Sequence, residues 1–251
     1  MTPGGESKAP KKLPETDAIF DNIQAKDAPT NDPSVKRLSM DGKATVALGE
    51  YSRGGHTRGN EKAIDHDLGH KEKYIPCGIV DEDSGQLHIA FGSSYKTSDF
   101  IVDTLEDWWK GLTPQQQRQT QRLQLKVDNG PESSGVRTQF LKRMVQFCDR
   151  IGKPIQLLYY PPYHSKYNPI ERCWGILEQH WNGTLLHNVG TLLAWASSMT
   201  WKGIHPIVKL NEKVYSTGIA LTKVAMREVE KRLQRNPELP KWDILIQPIN
   251  G

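Results

Sequence analysis

Apolar and β-forming residues come in short runs in the first part of the chain. The segment VKRLSMDGKATVALGEY, residues 35–51, places such residues around a single acid, and the apolar runs YIPCGIV and QLHIAFG follow it. The acidic residues and glycine of DEDSG join these two runs, and such a connection is typical of a β-hairpin. The pattern therefore predicts three consecutive strands.

Helical spacing follows the hairpin. Residues 97–112 open with Thr-Ser and carry apolar side chains at helical intervals, so they predict a helix. Two apolar strands, LQLKVDNGP and PIQLLYYPP, flank the amphipathic helix TQFLKRMVQFCDRIG. The segment NPIERCWGILEQHWNG then predicts a helix that begins at an Asn-Pro cap.

The order of these elements predicts the fold class. Three strands with hairpin-type connections precede two strands that are each reached through a helix, which favours a mixed five-stranded sheet flanked by helices. In such a sheet, strand one lies between strands two and four. This α/β order is that of a ribonuclease H-like fold. Further helices, expected over 189–200 and 222–235, would form a C-terminal helical extension.

Changes in composition divide the chain into three parts. Residues 1–35 are rich in Lys, Asp, Pro and Gly without an apolar period, so we expect a linker or tail. Residues 36–186 are predicted to form the ribonuclease H-like core, with an inserted loop at 52–73 that is rich in Gly, His and charged residues. Residues 187–251 are predicted to pack on that core as the helical extension.

Composition and charge narrow the class of protein. The length of 251 residues excludes a mini-protein scaffold. A hydrophobic content of 36% and a mean hydropathy of −0.62 lie on the polar side of globular proteins. No apolar run approaches the roughly 18 residues of a membrane span, so no membrane partner is expected. The N-terminus lacks an apolar signal region and the three cysteines are scattered, which favours a reducing cytoplasm. The net charge of +4 is compatible with a polyanionic partner but is too small to identify one.

Three acids fall at positions that this topology brings together. Asp41 lies in the first predicted strand, Asp128 at the end of the fourth, and Glu171 in the first turn of the helix after the fifth. Three carboxylates in one small volume repel one another unless divalent cations are bound, and their oxygen ligands suit Mg²⁺ or Mn²⁺. Two such ions would activate an attacking oxygen and stabilise a leaving one at phosphorus. The three acids therefore predict phosphoryl transfer.

Each acid also has a structural interpretation. Asp128 begins the turn sequence Asp-Asn-Gly-Pro, and Asp41 precedes Gly42, where a bulge or strand end is possible. Glu171 is the third residue after Asn168, so it could complete a capping box instead of holding a metal. Four rival acids lie in the adjacent loop and hairpin turn: Asp65, Asp67, Asp81 and Asp83. Asp81 is the alternative first acid. The joint placement of Asp41, Asp128 and Glu171 favours the metal site.

Long segments of the chain also resemble a known family. VDNGPESSGVRTQFLKRM, YYPPYHSKYNPIERCWG and LPKWDILIQP resemble the DDE domain of Rhodopirellula-type bacterial insertion-sequence transposases, over nearly the whole chain from Lys12 onward. The second segment is also similar to the Asn-Pro-Ile-Glu helix start of the mariner-type superfamily. The resemblance implies a metal-dependent DDE triad carried by Asp41, Asp128 and Glu171. Full-length members carry an N-terminal helix-turn-helix region that this sequence does not show, so end-sequence recognition is not expected from it.

Cationic and aromatic residues around the acids are candidates for DNA contact. His164, Lys166 and Arg172 flank the acids and could hold phosphates. The alternative for Arg172 is an ion pair with a neighbouring carboxylate. Three tyrosines offer faces for unpaired bases or else pack the strand end: Tyr160, Tyr163 and Tyr167.

The inserted loop carries further basic residues. Arg53 and Arg58 lie in a Gly-rich stretch that lacks the Gly-Lys-Ser/Thr of a phosphate-binding loop, so we expect a clamp on the DNA backbone. Zinc is not predicted, because no complete ligand motif includes the nearby histidines and Cys77.

These observations predict the catalytic domain of a DDE transposase. It would use Mg²⁺ or Mn²⁺, two ions in all, to cleave DNA at the element's end and join the freed 3′-hydroxyl to target DNA. Its partner would be double-stranded DNA, on which it would assemble as a homo-oligomer at the bacterial nucleoid. Two alternatives stay open: a catalytically idle DNA-binding or assembly remnant of a truncated transposase, and a ribonuclease H-like nuclease that cuts without joining.

Overall fold

A computed structural model describes residues 13–49 and 72–249. These residues form a mixed sheet of nine strands flanked by seven α-helices. The helices are α1 (Thr16–Lys26), α2 (Ser98–Lys110), α3 (Pro114–Gln119), α4 (Thr138–Ile151), α5 (Pro169–Trp181), α6 (Val189–Ser198) and α7 (Lys223–Glu230). The strands are β1 (Val35–Gly42), β2 (Val46–Ala47), β3 (Lys73–Asp81), β4 (Leu87–Gly92), β5 (Arg122–Asp128), β6 (Ile155–Tyr160), β7 (Ile207–Asn211), β8 (Leu233–Arg235) and β9 (Asp243–Ile246).

The predicted arrangement around the first strand is confirmed. The strands follow the order β7-β4-β3-β1-β5-β6-β9-β8, and β2 pairs with β3 off this path. β1 pairs antiparallel with β3 and parallel with β5, while β5 and β6 are also parallel. β3 and β4 form the predicted hairpin. The carboxyl ends of β1, β5 and β6 therefore lie at one edge of the sheet.

Two apolar clusters hold the helices on this sheet. The larger cluster includes side chains from α1, α2 and α4, with Phe100, Phe140 and Met144 fully buried. The smaller cluster joins α5 and α6 to the strands β3 and β4 through Trp174 and Leu177. All three cysteines are buried free thiols. Within the two described ranges, no helix has both the length and the apolar character needed to cross a bilayer.

The prediction of a linker over residues 1–35 is wrong for the part that the structure describes. Residues 16–26 form α1, which buries Ile19 and Ile23. The helix has only eleven residues and no side-chain N-cap, so its local sequence signal is weak. Tertiary contacts hold it instead, because the Gln124 amide donates to the Lys26 carbonyl and accepts from the Ala28 amide.

Residues 187–251, predicted as a C-terminal helical extension packed on the core, contain the two expected helices as α6 and α7 but also three strands that were not predicted. Only α6 and α7 are helical, and the five-stranded sheet continues into β7 beside β4 and β9 beside β6. β7 is a short edge strand whose side chains are half-buried or exposed, and β9 is only four residues long. Neither has the length or alternation that identifies a strand from sequence. The predicted insertion at 52–73 lies outside the described residues, apart from its last two positions.

Close packing of α5 on β3 depends on one glycine. A Cβ atom at Gly78 would lie 2.6 Å from the Trp174 ring and 3.0 Å from Ile170. Both side chains belong to α5 and are buried, so the helix could not keep its place against a larger residue. Gly78 is paired in register with Asp41, which links this packing to the site.

We expect Gly78→Ala to lower the free energy of unfolding by about 1–3 kcal/mol, because overpacking forces α5 away from the sheet. Gly175→Ala is the matched control on α5 itself, since a Cβ there meets no atom within 4 Å. The control should be neutral or stabilising by up to about 1 kcal/mol, as expected for Gly→Ala in a helix. Urea denaturation of both variants measures the difference, and equal effects would contradict the packing argument.

Candidate active site

Strand register brings Asp41 and Asp128 together. β1 and β5 run in parallel with Met40 opposite Val127, so the next residue of each strand is one of the two aspartates. Side chains alternate along a strand, which places Asp41 on the face of Ser39 and away from buried Met40. Both aspartates are half-buried at the carboxyl ends of their strands.

Glu171 completes the cluster from the first turn of α5. Carboxylate oxygens of Asp41, Asp128 and Glu171 all lie within 4.8 Å of one another. Pro169 at the start of the helix suits its first turn, where no amide is needed for an intrahelical bond. The predicted acids therefore share one small volume.

A buried hydrogen-bond network holds the helix start against the two strands. The Asn168 amide donates to the Asp128 carboxylate at 3.0 Å and to the Met40 carbonyl at 3.4 Å. Its side-chain oxygen accepts from the Ser39 hydroxyl, which in turn accepts from the Ile170 amide at 2.9 Å. Asn168 and Ser39 are both fully buried. The network orients Asp128 and satisfies an amide in the first turn of α5 that would otherwise lack a partner.

The structure bears on two of the alternatives, the capping box at Asn168 and Asp81 as the first acid. Asn168 makes no side-chain cap on its own helix, because its side chain binds the two strands instead. Asp81 is paired with Leu38 in the sheet, three residues before Asp41 along β1. Its carboxylate accepts from the turn amides of Asp83 and Ser84 at 3.1 Å each. The alternative first acid thus has a turn role away from the cluster.

Burial and mutual repulsion weaken the acidity of the cluster. Burial, followed by the charge of Asp41, raises the pKa of Asp128 to about 7, although the Asn168 hydrogen bond acts in the opposite direction. Burial and the Asp41 charge also raise the pKa of Glu171, opposed by a hydrogen bond with Ser165 and by the charge of Lys43. Negative charge in this volume is therefore costly without a cation.

The donor set fits a divalent ion. Three carboxylates supply hard oxygen ligands, and each remains partly exposed, so an ion and its water ligands have access. Among the residues that the structure describes, the cluster has no nitrogen or sulfur ligand, which favours Mg²⁺ or Mn²⁺ over zinc. Cys77, considered above as a zinc ligand, is fully buried in β3.

The residues predicted to contact DNA divide into buried and exposed groups. His164 is only 5% exposed, and its ring packs on Phe20 and Tyr167 while its Nδ1 donates to the Pro162 carbonyl. A direct contact between His164 and DNA is therefore not supported. Lys166 and Arg172 are exposed.

The three tyrosines divide in the same way. Tyr160 is buried and packs the strand end, whereas Tyr163 and Tyr167 are 70% and 50% exposed. The predicted clamp residues Arg53 and Arg58 lie outside the described residues.

Sequence reasoning missed four residues around the cluster. Ser39 and Asn168 form the network described above, and a buried serine between the apolar residues of β1 was a detectable signal. Lys43 pairs with Glu178 of α5, and Lys96 donates from its Nζ atom to the Gly42 carbonyl at 2.6 Å. Lys43 follows Asp41 by two residues, but only the fold brings Glu178 to it and Lys96 to Gly42, so neither contact has a local sequence signal.

The sheet order and the acid positions together define a class. A sheet in which β1 lies between antiparallel β3 and parallel β5, with acids at the ends of β1 and β5 and at the start of α5, is a ribonuclease H-like domain with a DDE carboxylate cluster.

Comparison with known proteins identifies the family. Residues 5–248 match the family described as Rhodopirellula transposase DDE domain, so the chain belongs to this family, as the resemblance indicated. The chain is a DDE transposase catalytic domain. No curated protein sequence matches it.

Solved structures of Mos1 transposase show a distant likeness. They are the Mos1 paired-end complex with left transposon end, at 10% identity and a TM-score of 0.48, and the Mos1 Strand Transfer Complex, at 9% and 0.46. Each match covers 78% of this chain and 57% of the Mos1 chain, so this chain spans less than two thirds of their length. Likenesses of this degree add nothing to the assignment, which rests on the family match and the carboxylate cluster.

The raised pKa of Asp128 predicts how stability depends on pH. Its folded pKa of about 7 exceeds its ordinary value of 3.8, so the stability present below about pH 4 is lost as the pH rises through 7. Asparagine does not ionise, so Asp128→Asn prevents this loss of stability, and its side-chain oxygen still accepts a hydrogen bond from Asn168. A unit of pKa shift corresponds to about 1.4 kcal/mol, and solvent screening reduces it at this half-buried site. At pH 8 without metal, we expect the free energy of unfolding of the variant to exceed that of wild type by about 2 kcal/mol.

Urea denaturation at pH 4 and pH 8 measures this difference, which should disappear at pH 4. Added Mn²⁺ should stabilise wild type more than the variant at pH 8, because an ion that binds only the folded state adds to its stability. Parallel pH profiles for the two proteins would contradict the assignment of the shifted pKa to Asp128.

Proposed function

We propose that this domain cleaves a DNA strand at the end of a mobile element and joins the freed 3′-hydroxyl to target DNA. The observation that carries the proposal is the cluster of Asp41, Asp128 and Glu171, whose oxygens lie within 4.8 Å in a chain of the DDE family. Its partner would be double-stranded DNA, on which copies of the protein would assemble. Action on DNA at the bacterial nucleoid in the cytoplasm belongs to the same proposal.

Asp41, Asp128 and Glu171 would hold Mg²⁺ or Mn²⁺, and two ions fit the proposed reaction. Bound ions would supply activation of the attacking oxygen and stabilisation of the leaving oxygen. The protein's own contribution is positional: Asn168 holds Asp128, and the Ser39 bond to the Ile170 amide fixes the helix start that carries Glu171. Because the pKa of Asp128 is about 7, part of this residue is protonated at neutral pH, and metal binding should release that proton.

Exposed cations beside the cluster supply the proposed DNA contacts. Lys166 lies immediately before Tyr167, with its Nζ atom 5.2 Å from the ring centre. Arg172 follows Glu171 on α5 and is exposed. The half-exposed Tyr167 ring and the exposed Tyr163 ring offer faces for unpaired bases. These groups bind phosphates and bases of any sequence, so they anchor DNA without selecting it.

Substituting the acids tests the catalytic proposal against an idle binding module. We expect Asp41→Asn, Asp128→Asn and Glu171→Gln each to lower Mg²⁺-dependent nicking of an element-end duplex by at least about 1,000-fold, or about 4 kcal/mol in the barrier. The variants should still bind DNA in Ca²⁺ and should still unfold in a cooperative thermal transition, because the substitutions remove charge but little volume. Nicking by wild type without joining would instead favour the nuclease alternative. Wild-type binding without nicking would favour the idle module.

The salt dependence of DNA binding tests the predicted phosphate contacts. Each of Lys166→Met and Arg172→Met should reduce the slope of log K against log salt by about 0.9, because one fewer phosphate is neutralised. Lys110→Met is the control, since Lys110 is exposed on α2 and its Nζ atom lies 3.6 Å from the Asp107 carboxylate. Fluorescence anisotropy over a salt series measures the slopes. Unchanged slopes for both variants would remove these residues from the DNA interface.

A further inference from the structure

Lys96 lies against the end of β1, next to the carboxylate cluster. Its Nζ atom donates to the Gly42 carbonyl at 2.6 Å, and Gly42 directly follows Asp41. A Cβ atom at position 42 would meet Lys96 Cε at 2.6 Å, so the lysine stem lies flat on the glycine backbone. Glycine at this position is therefore what allows the Lys96 side chain to lie against the end of β1.

The ammonium of Lys96 is not used in a structural ion pair within the described residues. Other half-buried or buried lysines of the sheet have carboxylate partners: Lys36 pairs with Asp81 at 3.0 Å, and Lys126 pairs with Asp27 at 2.7 Å and with Glu82 at 2.8 Å. Lys96 has one neutral carbonyl partner there, although an ammonium carries three N–H donors. Its charge nevertheless reaches the cluster, where it opposes the effect of burial on the pKa of Asp128.

Open space borders this side chain. A cavity of about 220 Å³ is lined by Lys96, Ser98 and Arg137, and also by the acidic residues Asp99 and Glu132. The cavity lies at the start of α2, beside the loop that follows Asp128, because Ser98 Oγ donates to the Glu132 carbonyl. Lys96 itself is partly exposed, so a DNA strand that passes the cluster can reach its side chain.

We infer that Lys96 is a fourth catalytic residue, whose ammonium contacts a non-bridging oxygen of the scissile phosphate. The inference rests on the proposed function. Negative charge on the phosphate oxygens is stabilised by a preorganised cation, and the Gly42 carbonyl holds this cation in place before DNA arrives. In this role Lys96 neither gives nor accepts a proton and forms no bond to phosphorus. It supplies charge beside Asp128, whereas Lys43 pairs with Glu178 and acts on Glu171.

The experiment combines chemistry and binding on an element-end duplex. Single-turnover nicking in Mg²⁺ at saturating protein gives the rate, and wild type maps the nicked position. Anisotropy in Ca²⁺ then gives affinity for the normal duplex and for one with a neutral methylphosphonate at that position. We expect Lys96→Met to lower the rate by about 100-fold, the usual effect of removing one preorganised donor. Its affinity for the normal duplex should approach the lower affinity of wild type for the methylphosphonate duplex.

Two further variants separate contact from general loss of charge or folding. Lys96→Arg keeps the charge and should recover part of the rate and of the preference for the charged phosphate. Lys110→Met removes an exposed lysine at the opposite end of α2 from Lys96 and should leave that preference intact. A thermal melt checks each protein. If Lys96→Met fails to fold, Lys96→Gln replaces it, because glutamine retains an N–H donor for the Gly42 carbonyl.

Each outcome decides the inference. Normal nicking by Lys96→Met while wild type is active would overturn it and leave the proposed function standing. An equal loss of phosphate preference in Lys110→Met would also overturn it, because the effect would then come from a general loss of positive charge. Absence of nicking by wild type would refute the proposed function and this inference with it, whereas a selective loss in Lys96→Met with recovery in Lys96→Arg would establish the contact.

Discussion

The close packing of α5 against β1 and β3 is the contact on which the carboxylate cluster depends. Gly78 leaves room for the Trp174 ring, so the helix lies directly on the sheet. Ser39 then accepts the Ile170 amide, and Asn168 binds Asp128. Packing and hydrogen bonding thus act on the same turn of helix, and that turn carries Glu171. If α5 did not pack on the sheet, the Glu171 carboxylate would not be held beside those of Asp41 and Asp128.

This arrangement opposes an electrostatic cost. Asp41, Asp128 and Glu171 are closer together than like charges favour, and burial removes part of the water that would screen them. The apolar clusters on the sheet supply the stability that offsets this repulsion. Lys43 and Lys96 reduce the negative charge from two sides without occupying the space between the carboxylates. The result is a site whose charge a divalent ion can balance.

The elements that surround the site carried strong local signals. The β3–β4 hairpin has a turn sequence between two apolar runs, and α4 has a clear apolar face, so both were predictable. α1 and β7 were missed, because α1 is a short helix without a side-chain cap that is held by contacts with Gln124, and β7 is a short edge strand with half-buried or exposed side chains. Their contact partners are far away in the sequence, and the local pattern of apolar residues contains no information about such contacts.

The sequence by itself determined the strand and helix order of the core and the identity of the three acids. Asp41, Asp128 and Glu171 follow from strand ends and a helix start, whose positions are local properties of the chain. Only the tertiary structure decided that Asn168 binds Asp128 rather than capping its own helix, that His164 is buried, and that Lys96 reaches Gly42. The physical reason is that burial and hydrogen-bond partners depend on which distant segments meet, and a polar side chain has the same sequence signal with or without them.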